Sequence, residues 1–121
     1  MKRFPLLIPP LFLLCLSLGC RPPRVSPALA AGIAAAQADN WEEAVRHWQS
    51  VLEKEPRSAA AHNNLAVAFE KRGAWEQARK EYETALGFDP GNRIIQDNFA
   101  RFKARQDAGR PDRGTAGRRL L

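Results

Sequence analysis

Read in blocks of 34, the sequence lies over itself. Trp41 returns as Trp75, Ala44 as Ala78, Trp48 as Tyr82, Val51 as Ala85, Leu52 as Leu86 and Pro56 as Pro90. Within each copy these positions recur mostly at three- and four-residue steps, the pattern of one helix face, and a proline closes each copy. A unit this short cannot bury its own apolar face, so copies must stack, each hairpin covering the next. That restricts the chain to an all-α architecture, a short α-solenoid.

The helices can be drawn in order. Ser26 and Pro27 supply a cap and a first-turn proline for a helix running to about Ala38. It is rich in alanine, with only Leu29 and Ile33 as large apolar groups. Alanine favours the helix and close approach but contributes little burial. Asp39 and Asn40 cap a second helix, Trp41 to about Lys54, with Glu42 and Glu43 at its positive end and Lys54 at its negative end. Ser58 caps a third, whose Ala61, Leu65, Ala68 and Phe69 face inward and which Gly73 closes in the left-handed conformation. Trp75 to Leu86 forms a fourth, with Phe88 packing just beyond. The fifth, Asn92 to about Gln106, carries Ile94, Ile95, Phe99 and Phe102 and covers the open face of the second unit.

In His62-Asn63-Asn64-Leu65-Ala66-Val67-Ala68-Phe69, then Gly73-Ala74-Trp75, Ala78, Tyr82, Ala85-Leu86 and Asp89-Pro90-Gly91-Asn92, the chain resembles the tetratricopeptide repeat family. His62 stands where that family usually has tryptophan. The preceding unit, Val25 to Pro56, fits well from Asp39 onward but has Ala31, Gly32 and Ala35 in the leucine, small and aromatic places. Asn98-Phe99-Ala100 echoes Asn64-Leu65-Ala66, so the resemblance covers about two and a half units. It implies a repeat domain over 27–107: two helical hairpins and a C-terminal capping helix.

The resemblance further implies a non-catalytic protein–protein interaction module, in which the first helices line a concave groove that receives a peptide or a partner's helix. By register, the protein-binding groove presents Leu29, Ile33, Asn63, Asn64, Val67, Glu70, Ile94, Asp97 and Arg101. One use of this groove in the family clamps a C-terminal carboxylate with lysines, an arginine and two asparagines. Only Asn64 matches here, and Leu29, Ile33, Ile94 and Asn98 replace the others. That disfavours chaperone-tail binding and favours an extended segment or helix bearing aliphatic side chains. The alanine-rich first helix has no preceding unit to cover it, which leaves room for a partner or a second copy, a possible homodimer.

A formal net charge of +6 would suggest nucleic acid if it were spread over the domain. Residues 25–107 instead hold 11 Lys+Arg against 12 Asp+Glu, a net of −1. The excess sits at the ends: Lys2, Arg3, Arg21 and Arg24 before the repeats, Arg110, Arg113, Arg118 and Arg119 after them. No nucleic-acid partner is expected. Residues 108–121 read as a disordered basic tail. Its arginines support an alternative function, a tether to an anionic surface with the repeats as spacer, each cation contributing about 1 kcal/mol.

Met1-Lys2-Arg3 followed by the uncharged run Phe4 to Cys20 has the layout of a secretory signal. Pro5, Pro9 and Pro10 leave about 10 unbroken residues, at 1.5 Å each only about half of a roughly 30 Å hydrocarbon core. Leu16-Ser17-Leu18-Gly19-Cys20 resembles a bacterial lipobox, with Ser17 and Leu18 departing from its commonest residues. That resemblance implies a lipoprotein-type signal peptide over 1–19, lipidation at Cys20, a linker over 20–26 and a membrane anchor. Arg21 after the anchor favours the outer membrane or periplasm of a bacterial cell envelope, where the partner would be another envelope protein. A cut at Ala28-Leu29-Ala30 is the competing expectation and would release a soluble periplasmic protein. Cys15 would leave with the signal, so the mature chain would hold no cysteine for disulfides or catalysis.

No catalytic constellation is visible. Gly87 and Gly91 flank a loop exit rather than cradle phosphate. His47 and His62 have no second histidine or cysteine nearby, and a metal needs three or four converging ligands. Glu42-Glu43 and Glu53/Glu55 read as solvated faces. No catalytic residue, metal or cofactor is expected.

Overall fold

The computed structural model describes residues 25–109 and 120–121. Five helices follow in order: α1 (Pro27–Gln37), α2 (Trp41–Lys54), α3 (Ala59–Lys71), α4 (Trp75–Phe88) and α5 (Arg93–Asp107). α1 packs on α2 and α3 on α4; α2 joins the two hairpins through α3, and α5 lies against α4. Among the described residues there is no strand, and no helix is long and apolar enough to cross a membrane. The expected signal peptide, Cys20, and Arg110, Arg113, Arg118 and Arg119 lie outside the described residues.

The joints repeat bond for bond at the offset of 34. At the first turn the Asp39 N–H donates to the Ala36 carbonyl at 3.0 Å and the Asn40 N–H to Ala35 at 2.9 Å. Gly73 donates to Glu70 at 3.0 Å and Ala74 to Phe69 at 2.9 Å. This is the paired closure of a Schellman motif, which needs one left-handed residue after the helix. Gly73 takes it with φ 71° and Asp39 with φ 62°. Asp39 was expected as a cap, and its conformation is explained by its short polar side chain, which tolerates this region. Its Oδ1 also accepts from Trp41 Nε1 at 2.7 Å.

The exits match as well. The Glu55 N–H donates to Val51 and the Asp89 N–H to Ala85, after which Ser58 and Asn92 each begin the next helix. The Ser58 hydroxyl accepts from the Ala61 N–H, and Asn92 Oδ1 from Ile94 and Ile95. Asn40 caps α2 through the Glu43 N–H. Ser26 stands before α1, but its side chain makes no capping bond, and Ala74 has none to offer α4.

The core runs through both hairpins. Trp48 and Tyr82, 34 apart, are both fully buried, as are Ala44 and Ala78. Trp48 is the larger, and room for it comes from Gly32: a Cβ built there would meet the indole Nε1 at 2.3 Å. The equivalent residue opposite Tyr82 is Ala66. α5 completes the second unit by burying Ile95 and Phe102, while Ile94 and Phe99 are half-buried. The Phe102 ring sits 5.6 Å from Tyr82 and 5.9 Å from Trp75. Phe88 lies within α4 rather than beyond it and is 38% exposed, its ring covered in part by His62 and Arg57.

Candidate functional site

α3 is the central helix, and its burial extends well past one apolar stripe. Asn63, Asn64, Val67 and Glu70 are all buried together with Ala61, Leu65, Ala66 and Ala68. A carboxamide out of water has to find partners for both its oxygen and its NH₂. Here the amides bond one another in a row. Asn98 Nδ2 of α5 donates to Asn63 Oδ1 at 3.0 Å, and Asn63 Nδ2 donates to Asn64 Oδ1 at 3.1 Å.

The far end of the row holds main chain. Asn64 Nδ2 donates to the main-chain oxygen of Leu121 at 2.9 Å, and the Leu121 N–H donates to Asn64 Oδ1 at 2.9 Å. Beside it Leu120 packs against the cores of both units. Leu120 lines a cleft of about 530 Å³ with Ala36 and Gln37 of α1, Asp39 of the first turn, Trp41 at the start of α2, and Val67 and Lys71 of α3. The Lys71 ammonium lies 5.6 Å from the Trp41 ring centroid. A second cleft, about 600 Å³, lies between the start of α4 and the end of α5, lined by Gly73, Trp75, Arg105 and Gln106. Neither cleft is lined by the asparagine row.

The residues assigned to the groove by register therefore separate. Asn63, Asn64 and Val67 sit together on α3, all three buried, and of them only Val67 lines the cleft. Leu29 is buried in the first core, its carbonyl accepting from Trp48 Nε1 at 3.3 Å, and Ile33 packs half-buried against the same cluster. On α5, Ile94 is half-buried, and Asp97 and Arg101 are exposed. Glu70 is engaged elsewhere: Tyr82 Oη donates to its Oε1 at 2.6 Å and Arg105 pairs with its Oε2. A carboxylate 2% exposed and held this way ties α3 to α4 and α5 rather than meeting a visitor.

The repeat register does not place Trp41, Lys71, Leu120 or Leu121 at a site. The only signal was the pair of aliphatic residues closing an otherwise polar tail after Arg118-Arg119. Asn98 repeats Asn64 at the offset of 34, which points to a row, yet the sequence does not say that the row would close on Asn63.

Among the described residues no three His, Cys, Asp or Glu side chains gather as a metal site. His62 instead bridges Glu81 at 2.6 Å and the Pro56 carbonyl at 3.0 Å, pinning α3 to α4 and to the preceding loop. The arrangement is one of fixed amides, an aromatic edge and a cleft of mixed polar and apolar lining, suited to holding a chain segment.

A family model described as Tetratricopeptide repeat matches residues 29–93, more than half of the chain and the whole span from α1 to the start of α5. No curated protein matches the chain.

Proposed function

Because this chain belongs to the tetratricopeptide repeat family, whose repeats mediate protein–protein interaction, we propose that it is a non-catalytic scaffold, anchored to a bacterial envelope membrane through Cys20 and receiving a segment of another envelope protein on its inner face. The observation that carries the binding part is Asn64: its amide is oriented by Asn63 and meets both hydrogen-bonding groups of one main-chain residue. Such a contact recognises backbone, and the seat of Leu120 against both cores beside it favours an aliphatic side chain. The anchor rests on the lipobox-like Leu16 to Cys20, with two or more acyl chains, each adding about 0.8 kcal/mol per buried CH₂, giving lasting attachment.

Crosslinking from intact cells tests the binding. Val67 is 2% exposed, so a charge there would disrupt packing and say little about partners. Asp97→Lys combined with Arg101→Glu changes only exposed groups on α5. Loss of the crosslinked partner, with the helical circular dichroism unchanged, supports the groove; the same partner at the same yield rejects it. Metabolic labelling with a fatty-acid analogue tests the anchor: the label should be present on the chain and absent after Cys20→Ser.

A further inference from the structure

We propose that Asn64 and the Leu120 cleft are a two-point reader for a short extended aliphatic segment, and that its resident ligand is this chain's own Leu120–Leu121, which an outside partner must displace. The proposal rests on the groove reading above and names the occupant of that groove.

Three observations carry it. Asn64 bonds to the N–H and to the main-chain oxygen of the same residue, both at 2.9 Å. This is the paired exchange that one strand residue makes with another across an antiparallel ladder, and it ignores the side chain. Leu120 supplies the side-chain contact: it packs on the cores of both hairpins and shares the wall of a cleft with Trp41, Val67, Asp39 and Lys71. The receptor half, finally, is fixed before anything arrives. Asn98 and Asn63 donate along the row, so that Asn64 Oδ1 and Nδ2 are each set toward the group they meet.

The ligand is covalently attached. Residues 110–119 separate Gly109, just after α5, from Leu120. Attachment within the same chain gives such a ligand an effective concentration on the order of 1 mM. A free segment that binds the vacated site at about 100 μM would thus bind the intact chain about tenfold more weakly. Partner capture becomes an exchange reaction, and the tail sets its threshold.

The experiment uses the full chain, unaltered and as Leu120→Glu, and a fluorescein-labelled peptide carrying residues 114–121. Leu120→Glu changes a half-buried residue outside the helices and should leave the fold intact. Fluorescence anisotropy should show the peptide binding Leu120→Glu about tenfold more tightly than the unaltered chain. The same peptide N-methylated at the residue corresponding to Leu121 lacks the donor to Asn64 and should lose at least tenfold, with no change to the protein. Equal affinity for both proteins, or N-methylation without effect, overturns the proposal. So does an unaltered chain that elutes as a dimer and becomes a monomer on Leu120→Glu, because the ligand would then come from a second copy. If these fail while the α5 charge reversal still abolishes crosslinking, self-occupancy falls and the groove stands.

Discussion

Gly32 and Trp48 allow a quantitative test of how the two hairpins are related. In Gly32→Ala the new methyl would lie 2.3 Å from indole Nε1 and 2.6 Å from Cδ1, distances that real Cβ atoms do not reach. Trp48 is fully buried and its Nε1 donates to the Leu29 carbonyl, so the ring has nowhere to retreat. Overpacking of this kind costs about 3 kcal/mol or somewhat more. Alanine in a helix interior gains about 1 kcal/mol over glycine, leaving a net loss of about 2 kcal/mol. Trp48→Tyr alone removes part of a buried ring and an indole hydrogen bond, a loss of about 2 kcal/mol.

The double variant installs the combination that the second hairpin already uses, Ala66 with Tyr82. It should be more stable than the sum of the single losses by at least about 1 kcal/mol, the range expected for residues in direct contact. Urea unfolding of all four proteins, followed by circular dichroism, closes the cycle. Additive losses would refute the idea that the two positions are one coupled packing unit.

Other substitutions probe the joints and the buried ion pair. Ala74 has φ −84° and ψ 69°, close to the −90° and 73° of Asn40, but lacks a capping side chain, so Ala74→Asn should raise stability by about 1 kcal/mol in denaturant titration. Gly73→Ala should cost about 1 kcal/mol from its φ of 71° alone, because nothing lies within 4 Å of the added methyl, while Gly87→Ala, inside α4 and equally unobstructed, should stabilise by a few tenths to about 1 kcal/mol. Opposite signs in thermal melts are the expected result; equal signs would refute it. Arg105→Met strips the cationic partner from buried Glu70 and should cost about 3 kcal/mol, most of it recovered by adding Glu70→Gln. A loss below about 1 kcal/mol would mean that Glu70 is adequately held by its other contacts.

What could be read from the sequence was whatever recurs. The offset of 34 located both hairpins, and Asn40, Ser58 and Gly73 marked helix ends because each has a local chemical reason to be there. Asp39 is legible as a helix-end residue, but its left-handed backbone is not, because aspartate tolerates that region without being distinctive of it. Glu70 was placed by register on the inner face, but register says nothing about Arg105, which α5 brings to it from 35 residues away. The Leu120 cleft was invisible for the same reason: Asn64 and Leu121 are 57 residues apart, and no periodicity links them. Local rules delivered the scaffold, whereas the site depends on contacts between segments that share no pattern.

The asparagine row also has a sense. Each amide hands a hydrogen to its neighbour in the direction from α5 toward the first hairpin, and the last one inherits its orientation from those before it. With an ionised aspartate at position 63 the hydrogen handed to Asn64 disappears and two oxygens face each other; turning the Asn64 amide over would relieve them, placing NH₂ where Leu121 now brings its N–H. A backbone could satisfy the inverted amide only by threading in the opposite direction. One atom's worth of change, a step removed from the visitor, would thus reverse the polarity with which this surface accepts a polypeptide.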